Sequence, residues 1–120
     1  MRIDYKIELE PVAFIAGDYQ EFQYNVADSE SGLGVSLASC QLKVALYPYG
    51  DNENPRLVVE GELVDNESSS FKVKLTSDMT KDLGGLYIQQ PIIVDNDGQT
   101  FRPGQGTVNI HPRAFDENFK

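Results

Sequence analysis

The chain has 120 residues, 40% of them hydrophobic, with six Phe, six Tyr and no Trp. That suits one ordinary domain with its own core and excludes wholesale disorder. Nineteen acids against ten bases leave a formal charge of −9, so the basic footprint needed for nucleic acid is missing and an anionic membrane is a poor partner. A lone cysteine, Cys40, allows no internal disulfide, and no apolar run approaches the roughly 18 residues of a membrane span. Charges interrupt the apolar residues of Met1–Lys6, which is no signal-peptide core; the expected place of synthesis and folding is the cytosol.

The first segment alternates: Ile3, Tyr5, Ile7 and Leu9 on one side, Asp4, Lys6, Glu8 and Glu10 on the other. Period two with β-formers predicts a half-buried strand, broken at Pro11 and resumed over 12–15, as suits an edge strand. After the turn at Gly17-Asp18, the alternation of Phe22, Tyr24 and Val26 predicts a second strand, and 27–36 reads as a loop. Residues 37–47 form a longer strand with Cys40, Leu42, Val44 and Leu46 on one face. The cluster from Pro48 to Pro55 is a turn. Residues 57–64 return as one strand, with Val59 and Leu63 inward, Glu60 and Glu62 outward, and Gly61 marking a bulge.

Phe71, Val73 and Leu75 predict the next strand. Residues 76–83 are the one helical piece, with Thr76, Ser77 or Asp78 as cap and Met79 one turn from Leu83. Gly84-Gly85 ends it. Residues 86–94 form a strand interrupted at Pro91, and Asp95-Asn96-Asp97-Gly98 is a turn. Gln99–Phe101 starts a last hairpin, and Thr107–His111 closes the fold with Val108 and Ile110 inward. The expected organisation is a single domain over 1–112 with a loose tail at 113–120. Ile7, Phe22, Leu42, Val44, Leu46, Leu63, Val73, Leu75, Tyr87 and Ile110 are expected in one core. Seven to eight strands with one short helical turn and no βαβ unit predict an all-β, antiparallel sandwich.

Chemistry is sparse. His111 is the only histidine, no Gly-x-Ser-x-Gly elbow exists, and one Cys with one His gives no zinc framework. A surface His and a core Cys account for both. Placing Asp97-Gly98 at positions five and six of a calcium loop puts Ile93 first and Gly104 last, where carboxylates are required, so a hairpin turn is the better reading. Gly32-Leu33-Gly34 lacks the lysine of a phosphate loop. The expectation is therefore no enzyme, no metal and no cofactor. Six acids and one base between Asp51 and Glu67 read either as a solvated hairpin or as a docking face for a basic partner.

One constellation has structural content. In Leu83-Gly84-Gly85-Leu86-Tyr87 a helical turn, then Gly, then Tyr at a strand start matches the E–F corner of an immunoglobulin-like sandwich, whose Tyr hydroxyl bonds back to upstream backbone. Gln89 stands where a disulfide-bonded domain has its Cys. Leu83, Gly85 and Tyr87 are thus the candidate corner. The last strand, Thr107, Val108, Asn109 and Ile110, carries no charge between Gly106 and His111; it is the candidate docking edge if nothing in the fold covers it.

From Phe71 to Ile110 the order of elements resembles the immunoglobulin-like N-terminal domain of phage baseplate upper proteins. The matching parts are Phe71-Lys72-Val73-Lys74-Leu75-Thr76, Met79 and Leu83, Gly85-Leu86-Tyr87, Asp95-Asn96-Asp97-Gly98-Gln99 and Thr107-Val108-Asn109-Ile110, with Gly17-Asp18 and Leu42–Leu46 before them. The resemblance implies a phage or prophage structural protein that acts by protein–protein assembly, as a homo-oligomer or with other virion proteins, and without catalytic residues. The alternative is a soluble carbohydrate- or protein-binding module using Tyr47, Tyr49 and the acids around the Pro48 turn.

Overall fold

The computed structural model describes residues 4–51, 53–64 and 67–112, with backbone alone at 67 and 68. The tail expected at 113–120, and Ile3, lie outside these residues. Eleven strands and one helical turn are formed among them: β1 (Tyr5–Lys6), β2 (Val12–Ile15), β3 (Gln20–Asn25), β4 (Ala27–Asp28), β5 (Gln41–Pro48), β6 (Leu57–Glu60), β7 (Glu62–Val64), β8 (Glu67–Leu75), α1 (Ser77–Thr80), β9 (Gly85–Val94), β10 (Thr100–Phe101) and β11 (Gly106–His111).

They build two main sheets. One runs β2-β11-β9-β5-β6, with β10 also on β9; the other runs β3-β8-β7; β1 and β4 form a small pair. Inward residues of both sheets meet in one cluster that includes Phe71, Leu37, Leu46, Leu75, Ile93, Val108 and Ile110, all 0–1% exposed. This is the immunoglobulin-like sandwich that the alternation predicts. Tyr24 stacks on Phe71 at 5.0 Å between ring centroids, and its hydroxyl donates to Gln89 Oε1 at 2.6 Å. That bond ties β3 to β9 across the core, and its acceptor, Gln89, stands where a disulfide-bonded immunoglobulin domain has a Cys.

Four expectations are corrected. The sheet is not wholly antiparallel: β2 pairs in parallel with β11, Val12 opposite Val108 and Ile15 opposite His111. No hairpin constrains strands so distant in sequence, so their relative direction follows from the rest of the topology. The segment 57–64 is two strands: β6 pairs with β5 and β7 with β8, so the chain changes sheets at Gly61. A Cβ on Gly61 would lie 2.8 Å from the Phe71 ring, and the Gly61 N–H donates to the Leu42 carbonyl at 2.7 Å. The switch resets which face points inward, and Leu63 is left 39% exposed. Phe22 is half-buried at the core's margin, while the expected core residues other than Leu63 and Phe22 are buried within the cluster. Finally, β9 runs through Pro91 without a break. Pro91 falls between the residues paired with β11 and those paired with β10, where β9 has only β5 beside it and one missing N–H is tolerated.

The helical turn is shorter than 76–83. Thr76 caps it, its side chain accepting from the Met79 N–H, but Met79 is 38% exposed. The buried residue is Thr80, whose hydroxyl accepts from the Gly17 N–H at 2.9 Å and so holds the β2–β3 turn against α1.

Candidate binding surfaces

The corner residues are brought together. Leu83 is buried, Gly85 has φ +116°, and Tyr87, buried at the start of β9, donates its hydroxyl to the Gly84 carbonyl at 3.5 Å. That is long for an O–H···O hydrogen bond, ordinarily about 2.5–3.0 Å, so little energy rides on it. Tyr87→Phe is expected to lower the unfolding free energy by less than about 1 kcal/mol, below the usual range for a well-made buried bond; a denaturant melt measures it.

The docking edge placed at Thr107, Val108, Asn109 and Ile110 is not an edge. β11 is flanked by β9 on one side and β2 on the other, and Val108 and Ile110 are wholly buried. The Pro-broken first segment supplies the strand that covers it. The turn at 95–98 closes the β9–β10 hairpin: the Gly98 N–H donates to the Asp95 carbonyl, and Asp95 Oδ1 accepts from the Asp97 and Gln99 N–H groups at 3.0 and 2.9 Å. Among the described residues no three His, Cys, Asp or Glu converge on one point. His111 is exposed at the end of β11. The acidic stretch from Asp51 onward is divided between two sheets, with Glu60 on β6 exposed and Glu62 on β7 paired to Lys74 Nζ at 3.4 Å.

Cys40 precedes β5 and is half-buried against the core. Burial raises its thiol pKa, and the Asp95 carboxylate adds to the effect. The thiol therefore stays protonated at neutral pH. Alkylation by iodoacetamide at pH 7.5 is expected to be slower for the folded protein than for the same chain in denaturant; equal rates would contradict the burial.

Two concavities stand out among the described residues. A cleft of about 520 Å³ opens where the β5–β6 turn meets the β10–β11 loop, lined by Tyr47, Asp51, Gln90, Arg102 and Gln105 with Ile88 beneath. The Gln90 amide is fixed by donating to the Gly104 carbonyl at 2.6 Å. Tyr49 is 64% exposed and stands apart from it. Tyr47 is legible from the turn cluster; Arg102 and Gln105 arrive from a loop distant in sequence.

The larger hollow, about 900 Å³, lies beside β3. Its origin is in the first segment. β1 pairs with β4, Tyr5 opposite Asp28 and Lys6 opposite Ala27, a register that would next set Ile7 against Val26. Instead the Ile7 N–H donates to the Pro103 carbonyl at 3.2 Å, and the chain leaves for the other sheet. Gly104 permits the crossing, since a Cβ there would lie 2.5 Å from the Ile7 carbonyl oxygen. Among the described residues, therefore, β3 has β8 as its only strand neighbour.

No protein-family model matches the chain, and no curated protein matches it. Among solved structures it is similar to CopC from Methylosinus trichosporium OB3b, with a TM-score of 0.56 and 10% identity over 92% of this chain and 97% of that one. It also aligns with the fibronectin(III)-like modules of Clostridium thermocellum CbhA, with a TM-score of 0.47 and 10% identity over 91% and 99%. The likeness to CopC is one of fold alone, and the two sheets packed about one core make that fold an immunoglobulin-like β-sandwich. No helix among the described residues is long and apolar enough to cross a membrane.

Proposed function

We propose that this domain is a non-catalytic assembly module that works by binding protein, in the manner of a phage or prophage structural component. The observation that carries the reading is β3, a six-residue strand that among the described residues is bonded on one side only and is bordered by a hollow of about 900 Å³. An unpaired strand edge is a template for another chain. The resemblance of residues 71–110 to the baseplate upper-protein domain supports the structural context. Light scattering at physiological salt and tens of micromolar protein, with mass spectrometry of whatever co-purifies, tests it. A complex with a second copy or with another structural protein is the expected result. A strictly monomeric mass with no stoichiometric partner would overturn it.

The cleft at Tyr47 favours a second reading, a saccharide site. An aromatic face flanked by amide, guanidinium and carboxylate groups suits a polyhydroxylated ligand. A glycan array read with the native chain and with Arg102→Ala separates the two: binding lost in the variant supports the saccharide.

A further inference from the structure

We propose that the hollow beside β3 is a vacated strand slot that receives an extended, basic segment of a partner protein, which adds to β3 as a strand; the proposal rests on the assembly reading and names its surface and partner.

The backbone supplies the first argument. The Val26 N–H donates to the Ser69 carbonyl at 2.9 Å, and the register sets Tyr24, Phe22 and Gln20 opposite Phe71, Val73 and Leu75. Bonding sides alternate along an antiparallel strand, so Tyr24, Phe22 and Gln20 bond toward β8. The N–H and C=O groups of Glu21, Gln23 and Asn25 therefore point away from β8, into the hollow. They span roughly 20 Å with their neighbours, the length of one ordinary strand.

The shape supplies the second. The slot lies where the first strand would have continued had it kept the register of β1 on β4. Its far wall is the departing segment itself, with Leu9 and Val12, and Phe22, Tyr24 and Gln89 line it as well. Apolar side chains on alternate positions of an incoming strand meet these residues, as strand addition requires.

Charge supplies the third and selects the partner. Glu8, Glu10, Glu21 and Asp28 line the slot; Lys6 holds Glu8 at 3.4 Å and Lys72 approaches Glu21 at 4.0 Å, which leaves Glu10 and Asp28 without an ion-pair partner among the described residues. Asp28 stays ionised: the Ser31 and Asp4 N–H groups bond its carboxylate and hold it below the usual carboxylate range. A lysine- or arginine-bearing strand meets this rim favourably. The chain's own charge of −9 argues against a second copy as the occupant.

The probe is a capped ten-residue peptide of alternating Lys and Val, with a Glu–Val peptide as control, titrated into the native chain while backbone amide exchange is followed by NMR. The Lys–Val peptide is expected to bind, the Glu–Val peptide about tenfold or more weaker, and the Glu21, Gln23 and Asn25 amides to gain protection while those of β2, β6 and β7 do not. Gln23→Pro removes an outward N–H without touching the β8 ladder, and should weaken binding by about tenfold, the scale of one lost hydrogen-bonded pair. Glu10→Lys, off β3 altogether, should weaken it through charge alone and serves if the proline variant does not fold. Protection on another edge, full binding by both variants, or no binding at about 1 mM peptide would each overturn the slot. Assembly that persists unchanged in Gln23→Pro sinks the slot but leaves the assembly reading standing; peptide capture at β3 by a chain never found with a protein partner does the reverse.

Discussion

Tyr24→Phe is expected to lower the unfolding free energy by about 1–3 kcal/mol, the penalty for leaving a buried acceptor without its donor. The Tyr24 hydroxyl is the hydrogen-bond donor to Gln89 Oε1, and both residues are 2% exposed. Burial alone raises the phenol pKa far above its ordinary value, so the hydroxyl remains a donor throughout the range in which the protein is handled. The partner variant Tyr24→Phe/Gln89→Leu should recover much of the loss, because replacing both polar groups by apolar ones of similar size leaves nothing unpaired. A double-mutant cycle in urea measures the coupling; additive losses would mean that the pair does not act as a unit.

Gly61→Ala should be the more damaging change for its size, at about 1–3 kcal/mol of overpacking. The added methyl would meet the Phe71 ring at 2.8 Å and the Lys72 carbonyl oxygen at 3.3 Å. Phe71 cannot move aside freely, since it is wholly buried and stacked on Tyr24. Nor can the Gly61 backbone, whose N–H is held by Leu42 on β5 while its successors pair with β8. A second-site Phe71→Leu, smaller on the offending side, should return part of the stability to the Gly61→Ala chain though it costs stability alone. If Gly61→Ala leaves the melting temperature unmoved, the crossing between the sheets is looser than the contact distances imply.

These two positions also mark how far the residues alone could be read. Alternation located the strands because facing in or out is a local property of the pleat, and Val44, Leu46, Val73, Leu75 and Ile110 are buried as their spacing predicts. Partner choice is not local. Leu63 shares a face with Val59 only while the strand stays in one sheet, and nothing in Glu60-Gly61-Glu62 says that it leaves. Thr107–Ile110 reads as an uncharged edge because no feature of that stretch discloses that Val12–Ile15, almost the whole chain away, lies along it. Pro91 reads as a break because the gap between β10 and β11 that accommodates it exists only once the sheet is assembled. The slot beside β3 was illegible for the same reason: Ile3 to Leu9 alternates as one strand, and its departure at Ile7 depends on a glycine near the other end of the chain.

The parallel pairing of β2 with β11 has a mechanical consequence. Tension applied to the polypeptide before β2 and after β11 pulls the two strands in opposite directions along their common axis. The ladder from Val12–Val108 to Ile15–His111 is then sheared, with its hydrogen bonds loaded together, rather than peeled one bond at a time as in a hairpin opened from its free ends. Forced unfolding is set by the height of that barrier and not by equilibrium stability. A domain strung in series with others under load would therefore resist extension at this one short ladder, even where its overall free energy of folding is modest.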